Sequence, residues 1–254
     1  MITKKNNKEI KKLAYSGNLL AKVLSQLVKA AKPGVKTNEL DKLADRLIRD
    51  LGGTPSFKNY QGSKNDPLYP SAICASINDQ LVHTPASNRE LKPGDILSID
   101  LGMRYEGLYT DMATTVAIGK ISRELKNLLK VTKKSLDLAI EEVKPGNYVG
   151  DISKAVQYYV EDQGLAVVKD LVGHGVGYAV HEEPKIPNFV MENQPQIELV
   201  PGMVIAIEPM VNLGSEKIKT LDDGWTVVTA DGKFCAHFEH TVAVTEDGHL
   251  VLTI

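Results

Sequence analysis

The sequence predicts an α+β fold, in which helices cover one face of a largely antiparallel sheet. Two observations support this prediction. Apolar residues recur at helical spacing in two separate pairs of segments, while the rest of the chain alternates short apolar runs with glycine-rich turns. In addition, residues 96–101 and 108–117 are strand-like and flank a short polar segment, which is the pattern of a β-hairpin. Helices and strands in this mixed order favour α+β over a doubly wound sheet.

The first two helices are predicted near the N-terminus. Apolar residues recur at alternating steps of three and four over residues 10–31, with lysines on the other faces. Pro33 and Gly34 end this first helix. Thr37 is placed to cap the second helix, whose apolar stripe stops before Gly52.

The remaining elements follow in order along the chain. A polar segment with aromatic residues at both ends, residues 57–70, is predicted to be a loop. Two short strands follow, joined by an Asn-Asp turn, and the hairpin comes after them. Ser122 caps a third helix, and a fourth precedes a series of strands. The predicted short strands are residues 72–78 and 80–83. The third helix extends to about residue 143, and the fourth covers about residues 149–163. The later strands are predicted at residues 167–172, 203–207, 225–229, 234–244 and 250–254.

The chain repeats part of itself, which predicts two related halves. The sequence PGMVIAIE, ending at Glu208, echoes PGDILSID, ending at Asp100, and in both a Pro-Gly turn leads into an apolar strand that ends in a carboxylate. A second echo lies upstream of each, where Lys-Pro-Gly precedes a helical pattern at residues 32–34 and 144–146. Two echoes in the same order favour duplication over a chance match of short strings.

Composition is that of an ordinary globular enzyme, with 43% hydrophobic and 24% charged residues among 254. No apolar run reaches the roughly 20 residues of a membrane helix, and no apolar signal core follows the basic N-terminus. Cys74 and Cys235 fit neither a disulfide framework nor a cysteine zinc site. We therefore expect a cytoplasmic protein, and the lack of an interdomain linker predicts a single domain over residues 1–254.

Charge is unevenly distributed along the chain. Residues 1–60 hold 13 Lys and Arg against 5 Asp and Glu, a net charge of +8, whereas the remainder has a net charge of −10. An acidic body suits a cation site or a positively charged substrate. The basic N-terminal region has two interpretations: it contacts an anionic partner such as ribosomal RNA, or it forms a solvated helix face.

Four carboxylates end or interrupt strands of aliphatic residues: Asp100, Asp111, Glu208 and Glu239. The hairpin brings Asp100 nearly opposite Asp111, where the Cβ atoms of cross-strand partners lie about 5 Å apart. Four carboxylates gathered in a core would carry four negative charges, which two divalent cations would balance. Oxygen ligands with one histidine suit Mn, Fe, Co or Zn, and bridging carboxylates hold paired metals roughly 3.5–4 Å apart.

Three further segments carry site-like residues. His174 is flanked by glycines, which would let the backbone bend sharply and leave the ring uncrowded. His181 opens the sequence HEEP, which lacks the second histidine of a zincin helix. Glu239 lies in an apolar strand, where an unpaired carboxylate would be costly. Taken singly, each has a plain structural explanation, a hydrogen-bonded or exposed side chain. Together with the other carboxylates they predict a metal-dependent hydrolase.

Five motifs in order, IDLG with TD, GHGVG, HEEP, IEPM and FEHT, resemble those of the type I methionine aminopeptidases. The resemblance extends from the first helix to the last strand. It implies the pita-bread fold, a pseudo-twofold antiparallel sheet of two halves with helices on its outer face. It also implies a metallo-exopeptidase that removes the initiator methionine from nascent proteins with a small second residue, using water or hydroxide shared by two metal ions.

The resemblance implies a role for each metal ligand. Asp111 and Glu239 would bridge both metals, Asp100 would chelate the second metal, and His174 and Glu208 would complete the first. The ions would be Co, Mn, Fe or Zn, and the free α-amine of the substrate would bind at the second metal.

Catalytic roles are implied for three residues. His83 matches the family histidine near the scissile amide, and His181 matches the one that hydrogen-bonds the substrate carbonyl. Glu208 would relay a proton from the attacking water in addition to binding metal. The implied methionine pocket is apolar and aromatic, and its residues are Phe57, Tyr60, Tyr69, Cys74 and Trp225, together with His83 and His181.

Some features depart from the family pattern or leave alternatives open. Residues 61–68 carry extra polar residues at the pocket rim, and Val180 stands where bacterial relatives carry Phe, which would widen the pocket. Trp225 has the alternative interpretation of a plain core residue. The alternative functions are an X-Pro aminopeptidase or dipeptidase of the same fold and an inactive binding module. The resemblance implies a monomer that acts on nascent polypeptide N-termini, without DNA or membrane partners.

Overall fold

The computed structural model of the chain describes residues 2–62, 64, 67–192 and 196–254. These residues form four helices and fifteen strands. The helices are α1 (Asn7–Ala30), α2 (Thr37–Asp50), α3 (Arg123–Glu141) and α4 (Val149–Asp162). The strands are β1 (Thr54–Pro55), β2 (Ile73–Ile77), β3 (Gln80–Val82), β4 (Ile96–Tyr105), β5 (Leu108–Ala117), β6 (Ala166–Val167), β7 (Val172–Gly175), β8 (Glu182–Pro187), β9 (Val204–Ile207), β10 (Met210–Asn212), β11 (Ile218–Thr220), β12 (Val227–Thr229), β13 (Cys235–His237), β14 (Glu239–Thr245) and β15 (Gly248–Val251).

A nine-stranded antiparallel sheet forms the centre of the molecule. Its strand order is β1-β4-β5-β14-β9-β7-β8, with β2 added to β4 and β15 added to β14. Two small sheets, β13-β10-β6 and β11-β12-β3, flank it. The predicted α+β class is confirmed. In the part of the chain that the structure describes, no helix has both the length and the apolar character needed to cross a bilayer.

The sequence repeat corresponds to equivalent backbone contacts in the two halves. The four Pro-Gly turns place their glycines at φ values of +92°, +100°, +87° and +93°, a region that glycine enters without steric cost. In the first half Leu91 N donates to Val35 O, and in the second Leu199 N donates to Asn147 O. Each turn therefore joins the start of a helix to the segment that leads into a central strand, β4 or β9.

Each half has its own hydrophobic core between its helix pair and the shared sheet. Leu20, Leu27 and Ile48 from α1 and α2 pack with residues of β2 and β4. Residues of α3 and α4 pack with those of β9 and β14 in the second cluster. Because burial of an aliphatic side chain contributes roughly 1.5–3 kcal/mol, these clusters hold both helix pairs on the sheet that carries the four predicted carboxylates.

Several local predictions are corrected by the structure. Thr37 is the first residue of α2 rather than its cap, because its hydroxyl hydrogen-bonds the backbone of Ser87. The predicted strand at residues 167–172 is interrupted between β6 and β7. The strand predicted at 234–244 breaks at Phe238. Strands β2 and β3 exist but pair with β4 and β12 rather than with each other. Of the polar segment at residues 61–68, Ser63, Asn65 and Asp66 lie outside the described residues.

Helix α1 approaches the C-terminal segment closely at Gly17. A Cβ atom built at this position would overlap the carbonyl oxygen of Leu252. Nearby, the Asn18 side chain donates to the Ile254 carbonyl at 2.8 Å. Gly17 therefore lets the helix lie against the backbone that follows β15, an approach that any larger residue would prevent.

We expect Gly17→Ala to destabilise the protein, although alanine favours helix by about 1 kcal/mol. The overlap with Leu252 forces a backbone shift, and overpacking of this kind costs about 1–3 kcal/mol. A net loss should lower the melting temperature by several degrees in calorimetry. The matched control is Ser25→Ala on the exposed face of α1, which should leave it unchanged or slightly higher. An equal or higher melting temperature for Gly17→Ala would show that this contact is dispensable.

Candidate functional site

A single cavity is lined by every residue that the sequence analysis placed in the site. Five of the twelve residues lie in strands β2, β4, β5, β7 and β14, and the other seven lie in segments that connect strands. Their roles stay predictions, but their proximity is a property of the structure. The cavity is lined by Phe57, Tyr60, Tyr69, Cys74, His83, Asp100, Asp111, His174, His181, Glu208, Trp225 and Glu239.

Three of the carboxylates project from one face of three adjacent strands. Asp100 on β4 and Glu239 on β14 both have Ala113 of β5 as their cross-strand partner. Asp111 lies two residues from Ala113 and therefore on the same face of β5. Asp111 is paired with Gly102 rather than with Asp100, so the predicted near-opposite placement is corrected to a diagonal one. The gathering of acids follows from strand register.

Thr241 fixes the strand positions of this cluster. Its hydroxyl accepts from Asp111 N at 2.9 Å and donates to Asp111 O at 2.7 Å, and so joins β5 to β14. Glu208 directly follows β9, whose last residue pairs with His240 of β14. One fully buried threonine thus replaces the ladder hydrogen bonds where the two halves of the sheet meet.

The cluster has the properties expected of a divalent metal site. Oδ1 of Asp100, Oδ1 of Asp111 and Oε1 of Glu239 are buried and make no hydrogen bond within the described residues. Buried polar atoms without partners are rare in folded proteins. Ligand atoms of Asp111, His174 and Glu239 also lie within 4.8 Å of one another. Hard oxygen donors and one imidazole at this spacing fit a divalent transition-metal ion.

The electrostatics of the carboxylates lead to the same conclusion. Burial and repulsion by Glu208 raise the pKa of Asp111 to about 7, and burial raises that of Glu208 to about 8. The pKa values of Asp100 and Glu239 lie well above the ordinary range, through burial and the neighbouring carboxylates. Without cations, simultaneous ionisation of these four carboxylates is unfavourable, whereas bound cations would favour the ionised forms.

His174 presents one ring nitrogen to the carboxylates. Its Nδ1 lies 2.9 Å from the carbonyl oxygen of Gly175, and a carbonyl only accepts, so Nδ1 carries the proton. Burial lowers the pKa of His174 to about 3, which keeps the ring neutral. Nε2 is therefore unprotonated, 3.6 Å from Glu208 Oε1. Hydrogen bonding at the remote nitrogen is the usual way in which a ligating histidine is oriented.

The glycines beside His174 serve a purpose that the sequence analysis did not predict. Neither Gly173 nor Gly175 takes a positive φ, although the β7–β8 register shifts between His174 and Gly175. A Cβ at Gly173 would overlap the Ala206 carbonyl, and one at Gly175 would overlap the Glu183 carbonyl. The glycines let β7 lie close to β9 and β8, and this close packing positions the imidazole beside Glu208.

His237 is a site residue that the sequence analysis missed. It is 1% exposed, neither ring nitrogen has a hydrogen-bond partner within the described residues, and Nε2 lies 3.6 Å from Glu208 Oε2. Thr115 fixes its backbone on both sides through hydrogen bonds of 2.7 and 2.9 Å. Burial lowers its pKa to about 3, so it is neutral. Its position two residues before Glu239 was the available signal, because alternate strand residues share a face.

Two further histidines stand at the mouth of the cavity. His83 has a φ of +58°, a left-handed conformation that non-glycine residues rarely adopt and that concentrates at functional sites. Burial, with smaller contributions from His181 and His237, lowers the pKa of His83 to about 4. His181 is exposed, and its Nδ1 lies 2.7 Å from the Tyr60 hydroxyl. Its ring packs edge-on against His174, with centroids 4.5 Å apart.

The apolar end of the cavity is aromatic. Tyr69 and Trp225 pack edge to face, with ring centroids 5.1 Å apart, and the Tyr69 hydroxyl donates to the Ile73 carbonyl at 3.1 Å. Val180 is buried against this cluster. Burial raises the pKa of the Cys74 thiol well above its usual range, so Cys74 lines the wall as an unreactive thiol. The result is an apolar pocket that opens directly onto the carboxylates.

Comparison with known proteins identifies a family. Residues 11–246 match the model of metallopeptidase family M24. The methionine aminopeptidase 1 of Bacillus subtilis is 47% identical over 253 residues, which cover 100% of this chain and 99% of that protein.

Solved structures support the same relationship. The crystal structure of the methionine aminopeptidase from Thermotoga maritima matches with a TM-score of 0.94 at 40% identity, covering 100% of this chain and 99% of that one. A prolidase from Pyrococcus horikoshii shares the fold alone, with a TM-score of 0.78 at 22% identity, and this chain spans 63% of its length. The pita-bread architecture predicted from the sequence is confirmed.

The position of His237 gives a testable expectation for metal binding. In His237→Leu the imidazole that lies 3.6 Å from Glu208 Oε2 is lost, and loss of such outer partners commonly weakens metal affinity about 10–100-fold. We expect the Kd for Mn²⁺, measured by isothermal titration calorimetry, to rise accordingly, with a smaller rise for His237→Gln, which keeps a donor. The exposed His249→Leu is the control. An unchanged Kd in His237→Leu would remove His237 from the site.

Proposed function

Because the chain belongs to metallopeptidase family M24 and, within it, to the methionine aminopeptidases, we propose that it removes the initiator methionine from nascent proteins whose second residue is small. The observation that carries this proposal is the single cavity that joins an aromatic pocket to a cluster of buried carboxylates. A side chain held by the aromatic residues would place the peptide bond that follows it beside the metal ligands.

We propose that five residues hold two divalent cations, either Co, Mn, Fe or Zn. Asp111 and Glu239, on the adjacent strands β5 and β14, would hold the ions from the centre of the cluster. Asp100 would complete one coordination shell, and His174 with Glu208 the other. When bound, such ions polarise the scissile carbonyl and lower the pKa of the attacking water. The unpartnered carboxylate oxygens and the free Nε2 of His174 are the observations that support this set.

The chain's own side chains would orient the substrate. The methionine side chain would be buried among Phe57, Tyr69 and Trp225, where apolar contact supplies affinity. The Tyr60 hydroxyl, by donating to His181 Nδ1, would place the proton of the neutral ring on Nε2. That N–H would then donate to the substrate carbonyl and to the oxyanion that develops from it.

Proton transfer would involve Glu208 and His83. Water attacks the carbonyl carbon and the carbon–nitrogen bond breaks, so one proton must pass from the water to the leaving amine. Glu208 borders the cavity and would take this proton and return it. His83, neutral because burial lowers its pKa to about 4, would hydrogen-bond the scissile amide. The whole chain would act as one catalytic domain, since both halves supply ligands through one sheet.

The alternatives are less well supported. An X-Pro peptidase shares the fold, but the full-length matches at 41–47% identity are named methionine aminopeptidases. An inactive binding module would be expected to lack part of the ligand set, and here all five ligands line the cavity. Ribosome contact through the basic N-terminal region, a monomeric state and a cytoplasmic location stay predictions.

The proposal is tested by peptide hydrolysis. With Mn²⁺ or Co²⁺, the protein should release methionine from Met-Gly-Met, and a chelator should abolish the release. Asp111→Asn should lower kcat by several orders of magnitude, because an essential element of the site is removed. The control is Asp222→Asn, an exposed carboxylate, which should keep wild-type rates. A folded, metal-loaded protein that releases no methionine would refute the proposal.

A substrate pair separates the two peptidase functions. The aromatic pocket should favour Met-Ala-Ser over Ala-Pro dipeptide, because alanine leaves most of the pocket's apolar surface in contact with water. We expect kcat/KM for Met-Ala-Ser to exceed that for Ala-Pro by at least about a hundredfold, equivalent to about 2.7 kcal/mol. Faster cleavage of Ala-Pro would support the X-Pro function instead.

A further inference from the structure

We propose that Lys5 and Glu182 are positioning residues for His181, through a buried ion pair that ties the N-terminal segment to the turn before β8. This inference rests on the proposed function, in which His181 contacts the substrate. It concerns residues outside the proposed ligand set, and it explains how an exposed histidine at the cavity mouth is held in one place.

The ion pair is almost inaccessible to solvent. Lys5 Nζ lies 2.8 Å from Glu182 Oε2, and the side chains are 1% and 8% exposed. Burial lowers the pKa of Lys5, an effect that the hydrogen bond to Glu182 opposes. Desolvation of two charges often cancels the gain from their attraction, so such a pair is weak evidence for added stability. We therefore expect the Lys5–Glu182 pair to have a role that two apolar side chains at these positions could not perform.

That role is visible in the hydrogen bonds of Glu182. Its Oε1 accepts from the backbone N–H groups of Tyr178 and Ala179, and its Oε2 accepts from the Thr3 hydroxyl and from Lys5. One carboxylate therefore closes the turn over residues 178–182 and attaches it to the N-terminal segment. An apolar side chain at position 182 would leave both backbone donors of the turn unpaired.

The N-terminal segment is itself fixed to the body of the protein. Lys5 N donates to the Gly202 carbonyl at 2.7 Å, in the turn before β9. Asn6 caps α1 by accepting from the backbone of Lys8 and Glu9. Lys5 also fills the space beside Gly177, where φ is +138° and a Cβ would overlap the lysine side chain. The segment thus links the turn to both a helix and a central strand.

Hydrogen bonds from Val176 N to Val204 O and from Tyr109 N to Gly177 O hold the start of the connection between β7 and β8. The Glu182 carboxylate holds Tyr178 and Ala179, which lie nearer to His181. The residues between β7 and β8 form no strand, and the β7–β8 pairing is irregular between His174 and Gly175. The His181 ring contacts Tyr60 and His174 at the cavity mouth, but it is exposed. Glu182 follows His181 directly, so the orientation of its carboxylate sets where the His181 backbone lies.

A double-mutant cycle tests the inference. Lys5→Met and Glu182→Gln are combined with His181→Ala, and kcat and kcat/KM for Met-Gly-Met are measured with Mn²⁺. In the wild-type background each variant should lower kcat about tenfold or more, since small misplacement of a catalytic group is costly, with KM nearly unchanged. In the His181→Ala background the same changes should have less than about a twofold effect, because the groups act as one unit.

The control is Lys12→Met, which removes a surface lysine paired with Glu106 at 2.7 Å, both about half exposed. It should change neither constant. Glu182→Gln provides a second test in case Lys5→Met fails to fold, because glutamine keeps an oxygen acceptor for the backbone N–H groups of the turn. Equal losses with and without His181 would overturn the inference and assign the pair to stability alone, as would full activity of both single variants.

A readout without catalysis separates this inference from the proposed function. In wild-type protein with ¹⁵N-labelled histidine, the His181 ring should give one sharp NMR signal, and in Lys5→Met that signal should broaden or shift while the His249 signal stays unchanged. A wild-type protein that lacks peptidase activity but shows this response would refute the proposed function and support the inference. An unchanged His181 signal in both Lys5→Met and Glu182→Gln would overturn it.

Discussion

Burial of several carboxylates on one face of a sheet is the constraint on which the rest of the structure depends. Asp100, Asp111, Glu208 and Glu239 line a single cavity. Burial raises the pKa values of all four, and repulsion by neighbouring carboxylates raises those of Asp100, Asp111 and Glu239 further. An uncompensated set of this kind is unfavourable in a protein interior. We infer that divalent cations compensate it, and the metallopeptidase family of the chain agrees with that inference.

The duplicated architecture explains how these groups reach one place. Each half presents a Pro-Gly turn, a central strand and a carboxylate. Asp100 lies within β4 in the first half, and Glu208 directly follows β9 in the second. Strands β5 and β14 meet between them, and the Thr241 hydroxyl joins the two strands at Asp111. Helices on the outside bury the aliphatic side of the same strands. Fold and site are therefore two consequences of one sheet register.

Much of this was predictable because the relevant signals are local. Carboxylates such as Asp100 and Glu208 within or directly after aliphatic runs indicate a site, and helical periodicity located all four helices within a few residues. The misses concern contacts between distant segments. The pairing of β3 with β12 and the need for glycine at position 173 depend on neighbours that sequence patterns do not specify. The Lys5 contact with Glu182 spans 177 positions and was missed for the same reason.

The central claim is that this chain gathers five ligands around paired divalent ions. The most direct measurement is anomalous diffraction from crystals soaked in Mn²⁺, with the ions located independently of the protein phases. The account predicts two ions in the cavity, with Asp111 and Glu239 in contact with both and with Asp100, His174 and Glu208 completing their shells. Finding no ion in the cavity at saturating Mn²⁺, or finding ions held by other residues, would contradict it.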